Sequence, residues 1–255
     1  KTSSSTKTAA SGTRKASAKP KSSAERKKIA QPSGLLAQPL GLEGWEKLEP
    51  IILAALASEE PLLLIGRHGA AKSFLLERLA ESLELEFRFY NASLVNFDDL
   101  VGFPIPTKDK KSLQYVSTPT AIWDAEVVFL DEINRTKHDL QNKLFPIVHE
   151  RRVQGVKLEK LRYRWAAMNP SPADDDSEDD AYLGAEPLDP ALADRFGFLL
   201  PVPEWGDFGK KEKHRILLDQ FRGRHEFRVK TQDLLSQARR AYVGFQGSPP
   251  DGLAE

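Results

Sequence analysis

Apolar positions along this chain follow two patterns, short unbroken runs and longer stretches with helical spacing, and the two alternate. Leu62-Leu63-Leu64-Ile65, bounded by Pro61 and Gly66, is an unbroken run. Four apolar residues between such flanks predict a strand buried on both faces of a parallel sheet. Before it, Leu42, Trp45, Leu48, Ile51, Ile52, Ala55 and Leu56 recur at helix-like intervals, with Pro50 either opening a second helix or kinking one. After it, Phe74 to Ala80 again places apolar residues at helical spacing. Glu84 to Tyr90 alternates with period two and predicts a second strand. Residues 91–120 hold turn signals at Gly102, Pro104 and Pro106 and a short strand at Leu113 to Val116, which predicts an inserted helix or loop with a hairpin.

The second half repeats the alternation. Val127-Val128-Phe129-Leu130 predicts a third buried strand, and Leu140, Leu144, Ile147 and Val148 mark a helix from Lys137 to Glu150 that Pro146 can kink. A hairpin is expected around Gly155, and a strand over Tyr163 to Met168. Leu188 to Phe196 predicts a short helix leading into a last strand near Gly197 to Leu200. Amphipathic helices are expected over 210–221 and 231–245. Strands alternating with helices make this an α/β chain built on a parallel sheet.

Composition changes the picture at the N-terminus. Lys+Arg and Asp+Glu each total 37, so global charge does not steer the chain toward nucleic acid. Residues 1–30 nevertheless carry nine cations against Glu25 alone, a net +8 that leaves −8 for the remainder. Residues 1–33 hold almost no large apolar side chains, so a disordered, solvated basic tail is expected, rather than a transit peptide with an amphipathic face. There is no cysteine, which excludes a thiol nucleophile and disulfides and suits a reducing cytoplasm. No apolar run approaches the roughly 20 residues of a membrane span, so a soluble chain is expected. Asp174 to Asp180 is an acidic run, expected to be a solvated loop rather than a metal cluster. His138 and His149 have no partners at metal-ligand spacing and read as solvated or capping residues.

The candidate chemistry sits at the C-terminal ends of the predicted strands, where open α/β sheets bind ligands. Gly66-Arg67-His68-Gly69-Ala70-Ala71-Lys72-Ser73 joins a strand to a helix. In that context loop and helix N–H groups, including those of Gly66, Gly69, Ala70 and Ala71, would cradle an anion, and the helix dipole favours negative charge. Lys72 would reach the β- and γ-phosphates of a nucleotide, and the Ser73 hydroxyl would ligate Mg²⁺. Ala71 stands where the strict G-x-x-x-x-G-K-[ST] pattern has glycine; a negative φ at a helix start, compatible with a Cβ, is expected there. Asp131 and Glu132 close the strand about sixty residues on: Asp131 would hold Mg²⁺ directly or through water, and Glu132 would polarise the attacking water. Asn169, before Pro170, is placed to contact the γ-phosphate or that water, unless it is a plain turn residue. Arg195 immediately precedes the last strand region.

With GRHGAAKS, VVFLDEINR, AAMNPSP and ALADRF in that order, the chain resembles AAA+ ATPases of the MoxR type. It is also similar to the related regulatory-ATPase and magnesium-chelatase-like branch with a helix-2 insert, which residues 92–120 match in position. The resemblance implies a P-loop AAA+ core with a five-stranded parallel sheet over residues 34–203 and a partial, truncated helical lid over 204–255. It places Lys72 and Ser73 in Walker A, makes Asp131 and Glu132 the Walker B pair, Asn169 the first sensor, and Arg195 an arginine finger acting in trans. ATP and Mg²⁺ as cofactors, a ring (usually a hexamer), and a remodelled protein partner such as a von Willebrand-type domain follow from the same resemblance. No second-sensor arginine is assigned, Arg239 and Arg240 lying on an unsuitable helix. A nucleotide-dependent assembly scaffold and a nucleic-acid motor are the competing functions. A small-molecule P-loop kinase would require neither Asn169 nor Arg195 in this order.

Overall fold

A computed structural model of the chain describes residues 36–109, 113–116, 118–170, 188–219 and 228–247. The predicted basic tail and the acidic run lie outside the described residues. Helix α1 (Glu49–Ser58) carries Pro50 in its first turn, where a missing N–H is harmless, so the proline opens this helix rather than kinking one. The Glu49 carboxylate is buried and accepts hydrogen bonds from the Leu36 and Ala37 amides at 3.0 and 2.7 Å. That pins the segment before the helix against the core. Strand β1 (Leu62–Ile65) and helix α2 (Lys72–Ser82) then flank the glycine loop.

Strand β2 (Phe87–Asn91) starts later than the alternation predicts, because Glu84 adopts a left-handed φ of 56° in the turn after α2. The insert is the helix α3 (Phe97–Val101) followed by the antiparallel hairpin β3 (Phe103–Pro106) and β4 (Leu113–Val116). Strand β5 (Val127–Asp131) leads through a 3₁₀ turn to α4 (His138–Glu150), which contains Pro146. The hairpin β6 (Arg152–Val153) and β7 (Val156–Lys157) turns at Gly155 and precedes β8 (Tyr163–Met168). The predicted helix over 188–196 is shorter, α5 (Pro190–Ala193), capped by Asp189, and is followed by β9 (Phe198–Pro201). Helices α6 (Lys210–Asp219) and α7 (Arg228–Gly247) end the described chain.

Five strands form one parallel sheet in the order β2-β5-β8-β1-β9. Alternation along each strand sends side chains to both faces, and both faces are covered. Leu62, Leu64, Phe129 and Trp165 pack with α1, α2 and the segment from Leu36 to Trp45. Leu63, Val128, Leu130 and Ala166 pack with the insert, α4 and α5. Helix α7 lies against α1 and α2, with Leu235 buried in the first of these clusters. No described helix is long and apolar enough to cross a membrane.

Candidate nucleotide site

The register of the sheet brings the candidate residues to one edge. Ile65 pairs with Met168 and Leu130 with Ala166, so Gly66, Asp131 and Asn169 all emerge at the C-terminal ends of adjacent strands. Between them and the start of α2 lies a cleft of ≈ 230 Å³. Its wall runs from His68 to Phe74, faced by Asp131, Glu132, Met168 and Asn169. Gly66 is confined by packing, since an added Cβ would lie 2.4 Å from a Val202 methyl.

Ala71 corrects the sequence expectation. Its φ is 61°, in the left-handed region, so its Cβ is tolerated under strain and not because φ is negative. Gly69, also left-handed at 75°, meets no such penalty. Glu132 shares the conformation, with φ 54°.

Lys72 is 8% exposed and turned inward. Its ammonium donates to the Gly66 and Arg67 carbonyls at 2.5 and 3.0 Å and to Asn169 Oδ1 at 3.3 Å. Burial pushes its pKa down from 10.5, against the upward pull of Asp131, Glu132 and Glu204. The Ser73 hydroxyl donates to Asp131 Oδ2 at 3.2 Å, and the Glu132 amide donates to Asp131 Oδ1 at 2.9 Å. A hydroxyl and a carboxylate side by side are hard oxygen ligands of the kind Mg²⁺ takes. Among the described residues no cluster of three His, Cys, Asp or Glu could hold a metal alone. The donor set therefore suits a cation completed by phosphate oxygens and water.

Of the further contacts here, Glu132–Arg135 is a local i,i+3 pair and the others carry no sequence signal. Ser93, after β2, donates to Glu132 Oε2 at 3.2 Å, while Arg135 Nη1 lies 3.7 Å from Oε1. Asn134 is buried and donates to the Asn169 main-chain carbonyl at 3.3 Å. His68 Nε2 stands 3.2 Å from Asn169 Nδ2. Arg67 pairs with Glu204 at 3.4 Å.

Two arginines lie elsewhere. Arg195 is exposed and forms no part of the cleft wall. Arg239 donates to Tyr163 Oη at 2.7 Å and to Glu59 Oε1 at 3.3 Å, at the N-terminal ends of the strands and away from the glycine loop.

The family described as AAA domain (dynein-related subfamily) matches residues 61–196, just over half of the chain. An uncharacterized protein of Methanocaldococcus jannaschii is 29% identical over 126 residues, covering 47% of this chain and 32% of that protein. The crystal structure of a candidate ATPase from Cytophaga hutchinsonii superposes with a TM-score of 0.56 at 20% identity, over 80% of this chain and 61% of that one. The chain thus spans less than two thirds of either relative, and the structural likeness is one of fold.

Proposed function

Because the chain belongs to the AAA domain family, dynein-related subfamily, we propose that it hydrolyses ATP as a MoxR-type motor, working in a ring to remodel or mature a protein partner. The observation carrying this reading is the convergence of Lys72, the Ser73–Asp131 pair, Glu132 and Asn169 on one cleft. Lys72 releases its loop carbonyls to neutralise phosphate charge. Ser73 and Asp131 would hold Mg²⁺, which would supply positive charge against the transferring phosphoryl group. Glu132 orients and polarises the attacking water, held until then by Ser93 and Arg135. Residues 34–203 serve as the nucleotide-binding domain and 204–255 as a helical lid. Arg195, exposed and outside its own cleft, reaches the γ-phosphate of a neighbouring subunit, so the partner of each subunit includes another copy.

Phosphate release from ATP, followed across protein concentrations, tests chemistry and assembly together. Specific activity should rise with concentration as rings close, and Glu132→Gln should keep ATP bound while stopping turnover. A Glu132→Gln protein hydrolysing ATP at the wild-type rate would move the base elsewhere. Activity independent of concentration would argue against the ring.

A further inference from the structure

Asn169 is 4% exposed, and the orientation of its side-chain amide follows from its neighbours. An ammonium can only donate, so the atom facing Lys72 Nζ at 3.3 Å is the amide oxygen. The amide nitrogen, a donor, then faces His68 Nε2 at 3.2 Å. Two donors cannot bond, so Nε2 is the accepting nitrogen and the ring proton resides on Nδ1. The Asn169 main chain is held separately, by Asn134 at its carbonyl. What remains undetermined by the backbone is which end of the amide points to the cleft.

We propose that His68 is a positioning residue that fixes this choice, holding the Asn169 amide with its oxygen toward Lys72 and the cleft. The inference rests on the reading of the cleft as an ATPase site. When Lys72 turns to a phosphate oxygen, Asn169 Oδ1 loses a donor while Nδ2 keeps its acceptor on His68. The freed oxygen then accepts from the attacking water opposite Glu132. Asn169 thereby orients water through its oxygen, and its nitrogen is engaged on the loop side. His68 touches neither water nor phosphate in this role. It acts by supplying an acceptor to the far end of the amide.

Four variants separate this from a role in shaping the loop. His68→Ala removes the acceptor and lets the amide turn over, so kcat should fall about tenfold, the worth of one net hydrogen bond, with Kd for ATP and ADP little changed. His68→Gln can present an oxygen to Nδ2 and should restore most of kcat. His68→Lys, a donor only, should reverse the amide and give the largest loss of kcat without weaker ATP binding. Asn169→Asp identifies the Asn169 side-chain NH₂ resonances by their loss from the nucleotide-free spectrum. Those protons should exchange slowly with solvent in the wild type and in His68→Gln, and quickly in His68→Ala. Equal kcat in the three His68 variants and the wild type, joint loss of ATP and ADP binding in His68→Ala, or unchanged NH₂ exchange would each overturn the proposal. If the wild type hydrolyses no ATP, the function proposed above fails, and the exchange measurement still decides the role of His68.

Discussion

A left-handed Cβ residue costs roughly 1–2 kcal/mol relative to its right-handed form, and Ala71 carries that strain where its φ is 61°. Glycine at 71 would remove it but enlarge the unfolded ensemble, an opposing effect of about 0.4–1 kcal/mol. Strain is the larger of the two, so Ala71→Gly should raise stability by up to about 1 kcal/mol, read from the urea midpoint at unchanged slope. A lower midpoint would mean that the Ala71 methyl, which packs at the edge of the core, outweighs the strain. Lys72 supplies a pH prediction. Its pKa is lowered by burial in the free protein, and a phosphate beside it would raise it again. Binding therefore takes up protons at alkaline pH, and nucleotide affinity should fall there, with the uptake measured by calorimetry in buffers of different ionisation enthalpy. Lys72→Ala should show neither uptake nor measurable binding.

At the scale of elements, one carboxylate ties four of them together at the end of the sheet opposite the cleft. Glu59, at the left-handed residue ending α1, accepts from Arg162 Nε and Nη2 at 3.0 and 2.9 Å, just before β8. It also meets Arg239 of α7 at 3.3 Å and Arg151, which follows α4, at 3.6 Å. Arg164 completes the junction, donating to the Glu59, Val148 and Arg162 carbonyls. Burial, with Arg151 adding to it, pushes that guanidinium down to about 10, so it stays charged at neutral pH. Glu59→Gln would leave three guanidinium groups facing an uncharged side chain. Glu59 is a quarter exposed, so solvent screens part of the effect, and a loss of about 1 kcal/mol is expected. The distinctive readout is amide exchange: α7 should open more often, while β1 and β8 remain protected. Uniform change across the sheet would show that Glu59 does not serve α7 in particular.

At the scale of the whole molecule, Arg195 is exposed and forms no part of the cleft wall. In the proposed ring each cleft borrows the arginine of its neighbour. Arginine fingers supplied in trans are worth roughly 10³–10⁵ in rate in GTPases, so Arg195→Ala should bind ATP nearly normally and hydrolyse it slowly. Arg195→Ala retains a complete cleft, and Glu132→Gln retains the finger. Mixing the two proteins should recover activity at interfaces that pair one intact cleft with one intact arginine. Mixtures that co-assemble yet never exceed the sum of the separate mutants would reject action in trans.

The amino-acid sequence by itself determined the strands and the layering, because strands buried on both faces leave local signals in Leu62 to Ile65, Val127 to Leu130 and Tyr163 to Met168. It also placed the hairpin of the insert through the short run Leu113 to Val116, although Pro104 and Pro106, read as turn signals, are paired within β3. Boundaries were less legible: Glu84 ended up in a left-handed turn and α5 contracted to four residues, since local periodicity does not register where packing stops. The candidate site residues could be named from spacing, yet their convergence depends on register, which aligns Gly66, Asp131 and Asn169 at one edge. Only the tertiary structure decided that Ala71 takes a positive φ, as the loop must close onto α2 with whatever residue is present. Only it brought Ser93 to Glu132 across 39 residues and His68 to Asn169 across 101. It likewise set Arg239 at the far end of the sheet from the glycine loop. Hydrogen bonds at such separations leave no period or motif in the chain, because they are set by the order in which the strands lie side by side.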